Sequence, residues 1–132
     1  MSNQDWLDLI EEEAIEHEIM ICDPHHHFWL YPESCYLVDE LAKDLASDHQ
    51  IRETIFVECN QFYRDNGPED LKSLGETQFV DRLAEENVIP ECNFAAGIIG
   101  FVNLSKGRAV EEIIELHLSC SNRFCRVRHA TA

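Results

Sequence analysis

Ile19-Met20-Ile21-Cys22-Asp23-Pro24-His25-His26-His27-Phe28-Trp29 is the stretch on which the fold turns. Four apolar residues in unbroken succession, stopped by Asp23-Pro24, read as a short buried strand, because a strand covered on both faces needs no polar alternation. The polar residues that follow lie where this strand ends. With a side-chain period of two, Asp23, His25 and His27 point to one side and His26 to the other. Two imidazoles then converge on one point. Such a pair is half or more of a divalent-metal site, since zinc and its neighbours favour imidazole nitrogen and carboxylate oxygen. Three adjacent histidines also fit a solvated loop or a fragment of an affinity tag, and the spacing alone leaves these readings open. The position, inside a patterned segment and flanked by aromatics, speaks against a tag. His26 is expected to be structural.

Downstream, apolar strands alternate with amphipathic helices. Tyr36 to Ala46 has helical period, with Tyr36, Leu37, Leu41 and Leu45 on one side and Asp39, Glu40, Lys43 and Asp44 on the other. Thr54 to Val57 reads as a second strand and Glu76 to Glu86 as a helix with Phe79, Val80, Leu83 and Ala84 apolar. Phe94 to Val102 reads as a third strand, Ala109 to Ser119 as a helix, and Phe124 to Arg128 as a fourth strand. This alternation predicts right-handed βαβ units, a parallel sheet and an α/β fold. The longest irregular piece is the loop from Asn60 to Gly75, and long loops after strands are where such folds keep function. Upstream, residues 1–18 form an acidic lead-in with a weak helical pattern at Trp6, Leu9 and Ile10, expected to pack outside the core.

With 132 residues, 45% of them apolar, the chain suits one globular domain. Its 26 acidic against 10 basic side chains give a net charge of −16, a field that repels phosphate backbones and anionic lipid alike. Neither nucleic acid nor membrane is therefore expected as a partner. Residues 1–18 hold no Lys or Arg, so no export signal is read there, and a cytoplasmic location is expected. The longest apolar stretch, Phe94 to Val102, is far below the roughly 20 residues needed to cross a bilayer. The six cysteines are scattered without a Cys-x-x-Cys pair and are read as reduced structural thiols, two of them inside buried strands. His117, on the apolar face of a helix, reads as a satisfied core histidine. His17 and His49 read as surface residues, and Glu11-Glu12-Glu13 as a solvated acidic face. Cys59 is a nucleophile only if a base lies beside it.

The string Ile21 to Trp29 resembles the opening strand of the amidohydrolase-related family of (β/α)₈ metal-dependent hydrolases, and is most similar to the branch with dicarboxylate and sugar lactonases. The likeness continues through Tyr36-Leu37-Val38-Asp39-Glu40-Leu41, Phe56-Val57-Glu58-Cys59, Gly75-Glu76-Thr77, Ala96-Gly97-Ile98-Ile99-Gly100 and Phe124-Cys125-Arg126-Val127-Arg128-His129. It thus spans nearly the whole chain from residue 19 onward.

The resemblance implies a partial (β/α)₈ TIM barrel of about four βα units over residues 19–132, the N-terminal half. A complete barrel takes about 250 residues, so the remaining metal ligand and the strand-eight aspartate that serves as general base are expected outside these residues. His25 and His27 match the family's metal pair, with Asp23 the preceding acid. The ion is expected to be zinc or a similar divalent metal, although some lactonases of this branch work without one. Arg128 and His129 match the Arg-His at the end of the fourth strand, where an arginine suits a substrate carboxylate. Arg126 shares its parity but lies deeper. Glu58 is expected to bind substrate, to support a histidine, to face a helix, or to be ion-paired. The implied activity is attack of water on a lactone, ester or related carbonyl of a small anionic substrate. The alternatives are a non-catalytic fragment or metal-binding module, and a decarboxylase of the same fold family. The chain alone is expected to be inactive, and to partner with a second copy or a complementing C-terminal half.

Overall fold

The computed structural model describes residues 5–6, 9–10 and 13–130. Strand β1 (Met20–His26) leads into a small hairpin, β2 (Trp29–Tyr31) and β3 (Ser34–Tyr36), and then helix α1 (Val38–Leu45). Strand β4 (Gln50–Val57), helix α2 (Leu74–Glu86), strand β5 (Asn93–Phe101), helix α3 (Ala109–Cys120) and strand β6 (Phe124–Arg128) follow. The sheet runs in the order β1-β4-β5-β6, and every pairing in it is parallel. Neighbours in sequence are neighbours in the sheet, so each helix crosses over the same face.

That face holds the core. Phe28, Phe56, Phe94, Ile98 and Phe124 from the strand side meet Val38 and Leu41 of α1 and Val80 of α2 in one apolar cluster. His117 of α3 is fully buried beside it, bonded to Thr77 Oγ1 at 2.9 Å and stacked on Phe124 with ring centroids 4.7 Å apart. Burial lowers its pKa to about 4, so the ring is neutral at physiological pH. Gly100 allows this packing: a Cβ there would sit 2.9 Å from the Phe124 ring and 3.2 Å from His117. The opposite face of the sheet is uncovered and leaves Cys22, Glu53, Cys125 and Arg126 exposed.

Several expectations need correction. The first strand does not stop at Asp23-Pro24 but continues to His26. Proline is tolerated there because β1 is an edge strand and Pro24 falls in a register shift against β4 between Asp23 and His26. Nor is this strand covered on both faces: Met20 is 73% exposed. Cys22 and Cys125 lie exposed, because they fall on the uncovered face; all six cysteines are free thiols. Tyr36 belongs to β3, and its helix begins only at Val38. There the carboxylate of Glu40 accepts the Leu37 N–H at 3.0 Å, one half of a capping box. The second strand, read over Thr54 to Val57, begins at Gln50, whereas Phe124–Arg128 is observed as read. Of the lead-in, Trp6 is helical and Trp6, Leu9 and Ile10 are exposed; Glu11 and Glu12 lie outside the described residues, and Glu13, His17 and His49 are exposed. No described helix is long and apolar enough to cross a membrane.

Candidate metal and substrate site

The register shift in β1 decides which side chains meet. It breaks the simple alternation, so Asp23 does not join the two histidines: its Oδ1 accepts the backbone N–H of His25 at 3.1 Å. His25 and His27 do converge, with their Nε2 atoms 3.1 Å apart and their rings edge to face at 4.8 Å. His26 turns the other way into the core, against Phe28 at 4.9 Å and Phe56 at 5.8 Å, and burial lowers its pKa to about 4. The structural part expected of it agrees with this placement.

Across the strand pair, Nδ1 of His27 lies 2.6 Å from the carbonyl oxygen of Val57 at the end of β4. A carbonyl only accepts, so Nδ1 carries the proton and Nε2 keeps its lone pair. The Nε2 contact is then an N–H donated by His25 to His27. The same geometry fits a divalent ion: two imidazole nitrogens on one tetrahedral zinc at about 2.0–2.1 Å lie about 3.3 Å apart. Moving the His25 proton from Nε2 to Nδ1 would present both lone pairs to one point. The His27 contact to Val57 is the outer hydrogen bond that commonly fixes a ligand ring. Among the described residues no third His, Cys, Asp or Glu completes a metal-holding group with this pair.

Glu58 follows directly on β4 and is 2% exposed. Its Oε1 accepts from Arg128 Nε at 2.6 Å, and its backbone oxygen accepts from Arg128 Nη2. Of the parts open to Glu58, the ion-paired one is observed. Two of the guanidinium's donor atoms are engaged within the protein, while Arg126 is exposed and forms no ion pair among the described residues. His129 is placed differently from Arg128. Its Nδ1 accepts the Leu104 N–H at 3.2 Å and its ring stands edge-on to Phe101 at 5.6 Å.

Sequence reasoning missed Glu76. It stands in the first turn of α2, 2% exposed, and its Oε1 accepts the backbone N–H groups of Cys59 and Gln61, both at 3.0 Å. These bonds hold the turn in which Asn60 and Phe62 take positive φ. Gly75 permits the approach, because a Cβ there would meet the Phe62 carbonyl at 2.6 Å and Arg64 N at 2.7 Å. The pair Gly75-Glu76 after a long loop was the available signal. Cys59 donates its thiol to the Phe28 carbonyl at 3.1 Å, and burial together with Glu76 pushes its pKa up to about 12. A thiol so protonated is no nucleophile.

Burial raises the Glu76 pKa to about 7, against the two backbone hydrogen bonds that lower it. The folded chain therefore holds this proton more tightly than the unfolded chain, whose value lies near 4.5. Its contribution to stability is full below about pH 4.5 and is lost as pH rises through about 7. Glu76→Gln is expected to remove this dependence and to stabilise the protein at pH 8 by about 1–3 kcal/mol. Urea denaturation of both proteins at pH 5.5 and pH 8 measures it; equal differences at the two pH values would refute the assignment.

A cleft of about 580 Å³ opens at the other end of the sheet beside Gln50, Arg52 and Glu91. Ligands of open parallel sheets bind at the C-terminal strand ends, where the histidine pair and Glu58–Arg128 stand, so the cleft is not assigned as the site. Compared with known proteins, the chain matches no family model, no curated protein and no solved structure.

Proposed function

We propose that this chain carries the metal-binding pair and the anion-recognising edge of a hydrolase of the amidohydrolase-related type, built as part of a (β/α)₈ barrel. The observation that carries the reading is the 3.1 Å separation of the His25 and His27 Nε2 atoms, with His27 oriented by the Val57 carbonyl. A divalent ion held there would supply a water acidified to a pKa of about 7 and a Lewis acid for a carbonyl oxygen.

The chain's own residues do the rest of the positioning. Val57 fixes the His27 tautomer. Glu58 holds Arg128 at the same end of the sheet, where the guanidinium edge not bonded to Glu58 suits a substrate carboxylate. Arg126 adds a second positive charge on the uncovered face. The general base of such a reaction is not among these groups, because Glu58 is paired and Cys59 protonated. The reading therefore assigns binding and orientation to this chain, with turnover requiring a base supplied by further structure.

The test is a zinc or cobalt titration of the purified chain by calorimetry, followed by hydrolysis assays on anionic lactones and esters. One bound ion per chain supports the reading. No binding at submillimolar metal would overturn it. A carbon–carbon cleavage product from a carboxylate substrate would move the assignment to a decarboxylase.

A further inference from the structure

Residues 57–61 leave β4 and turn, and the bonds they make reach different parts of the site. The Glu58 N–H donates to the Ile99 carbonyl at 2.8 Å, continuing the ladder to β5, and so fixes the peptide whose other end is the Val57 carbonyl that meets His27. The next peptide is held differently. Its carbonyl, on Glu58, accepts from Arg128 Nη2, and its N–H, on Cys59, donates to Glu76 Oε1 at 3.0 Å. A peptide unit is planar with its N–H and C=O opposed, so whatever fixes the N–H also aims the carbonyl. Further on, the Gln61 N–H donates to the same oxygen at 3.0 Å, with Asn60 between the two donors at φ 60° and Phe62 after them at φ 57°. Backbone N–H groups converging about a left-handed residue form a concavity suited to an anion, and here a carboxylate of the chain itself fills it. Phe62 is a bulky residue in a conformation such side chains rarely adopt, so the turn persists only while something holds it.

We infer that Glu76 is a positioning residue for Arg128: by holding the Cys59 N–H it aims the Glu58 carbonyl at the guanidinium, and so sets the edge that Arg128 offers to a substrate carboxylate. Arg128 grips Glu58 at two points, Nε on the side chain and Nη2 on the backbone, and a planar fork needs both acceptors at a set angle. Without the backbone acceptor one bond remains, about which the guanidinium swings. The His25–His27 pair lies outside the control of Glu76, because the Val57 carbonyl is fixed by the ladder bond to Ile99. The same turn ties down the hairpin, with the Cys59 thiol on the Phe28 carbonyl at 3.1 Å and the Gln61 Nε2 on the Tyr31 hydroxyl at 2.9 Å. The consequence for function rests on the anion-recognising part proposed for Arg128, whereas the effect of Glu76 on the guanidinium does not.

Nitrogen NMR of the metal-free full chain tests this through the Arg128 guanidinium. In the wild type its two Nη atoms should give separate signals, because the bonded fork slows rotation about the Nε–Cζ bond. Glu76→Met keeps the length of the side chain without an acceptor and should quicken that rotation by about tenfold or more, the weight of one hydrogen bond to a charged group. Glu76→Gln keeps the acceptor without the charge and should rotate as slowly as the wild type. The His27 ring signals should be the same in all three. Fast rotation in the wild type, slow rotation in a folded Glu76→Met, fast rotation in Glu76→Gln or an equal disturbance of His27 would each overturn the inference. Circular dichroism shows whether each variant folds. If Glu76→Met does not, amide exchange in the wild type decides: Cys59 and Gln61, both beyond the strand, should exchange as slowly as the amides of β4, and exchange at loop rates would sink the assignment. The zinc titration is read separately, so its failure removes the metal reading and leaves the Arg128 signals to decide here.

Discussion

If His25 and His27 hold the ion as proposed, replacing His27 by alanine is expected to weaken zinc binding by about 100-fold or more, since loss of an outer hydrogen bond alone costs about 10–100-fold and this change would remove a ligand. His25→Ala should do the same, because the two Nε2 atoms meet at one point. His26→Ala should leave the stoichiometry intact, as that ring faces Phe28 and Phe56. Its cost falls on folding, through a buried void. Cobalt absorption offers an independent reading of ligand number and geometry. If His25→Ala and His26→Ala weakened the metal equally, the loss would belong to the strand's folding and the pair would lose its assignment.

Arg128→Ala is expected to destabilise the fold by about 3 kcal/mol, because it leaves the buried Glu58 carboxylate without its cation. The Glu58 side chain is 3% exposed and the Arg128 side chain 37%, so the partners are affected unequally. Glu58→Gln leaves a cation near water and should cost less. The double variant, Glu58→Gln with Arg128→Ala, should recover much of the loss, since no buried charge remains. Urea unfolding of the four proteins gives the coupling energy directly. A coupling near zero would make the pair an exposed contact with no hold on the site.

The strands and helices were legible because burial on one face writes a period into the sequence. Ile113 and His117 of α3, and Phe94 and Ile98 of β5, show it plainly. The hairpin was not. Its two-residue turn is Pro32-Glu33, without the Asn-Gly type of signal, and Tyr36 falls at a spacing that also suits the next helix. It is held by side chains, Trp29 Nε1 to Ser34 Oγ at 2.9 Å and the Trp29–Tyr36 stack, which no local pattern announces. At the site, parity placed His25 and His27 together but failed for Asp23, because a register shift depends on the partner strand. The bond between Glu58 and Arg128 spans 70 positions of sequence, and sequence pattern alone does not choose between ion-paired and substrate-facing glutamates. Glu76 was hidden for a related reason: a carboxylate in a helix's first turn usually marks the helix dipole, and here it braces a loop.

The His27–Val57 contact carries a consequence for the order in which the molecule is made. Thirty positions separate the two residues, and the ring has no fixed orientation until β4 has docked on β1. At about 5–20 residues per second, a ribosome exposes the histidines for seconds before the carbonyl that aligns them exists. Metal met in that interval encounters loose imidazoles, not a shaped pair. The ion would therefore act as a late rivet on a finished joint, and adding it to a refolding mixture would raise the stability of the product without hastening the first strand pairing.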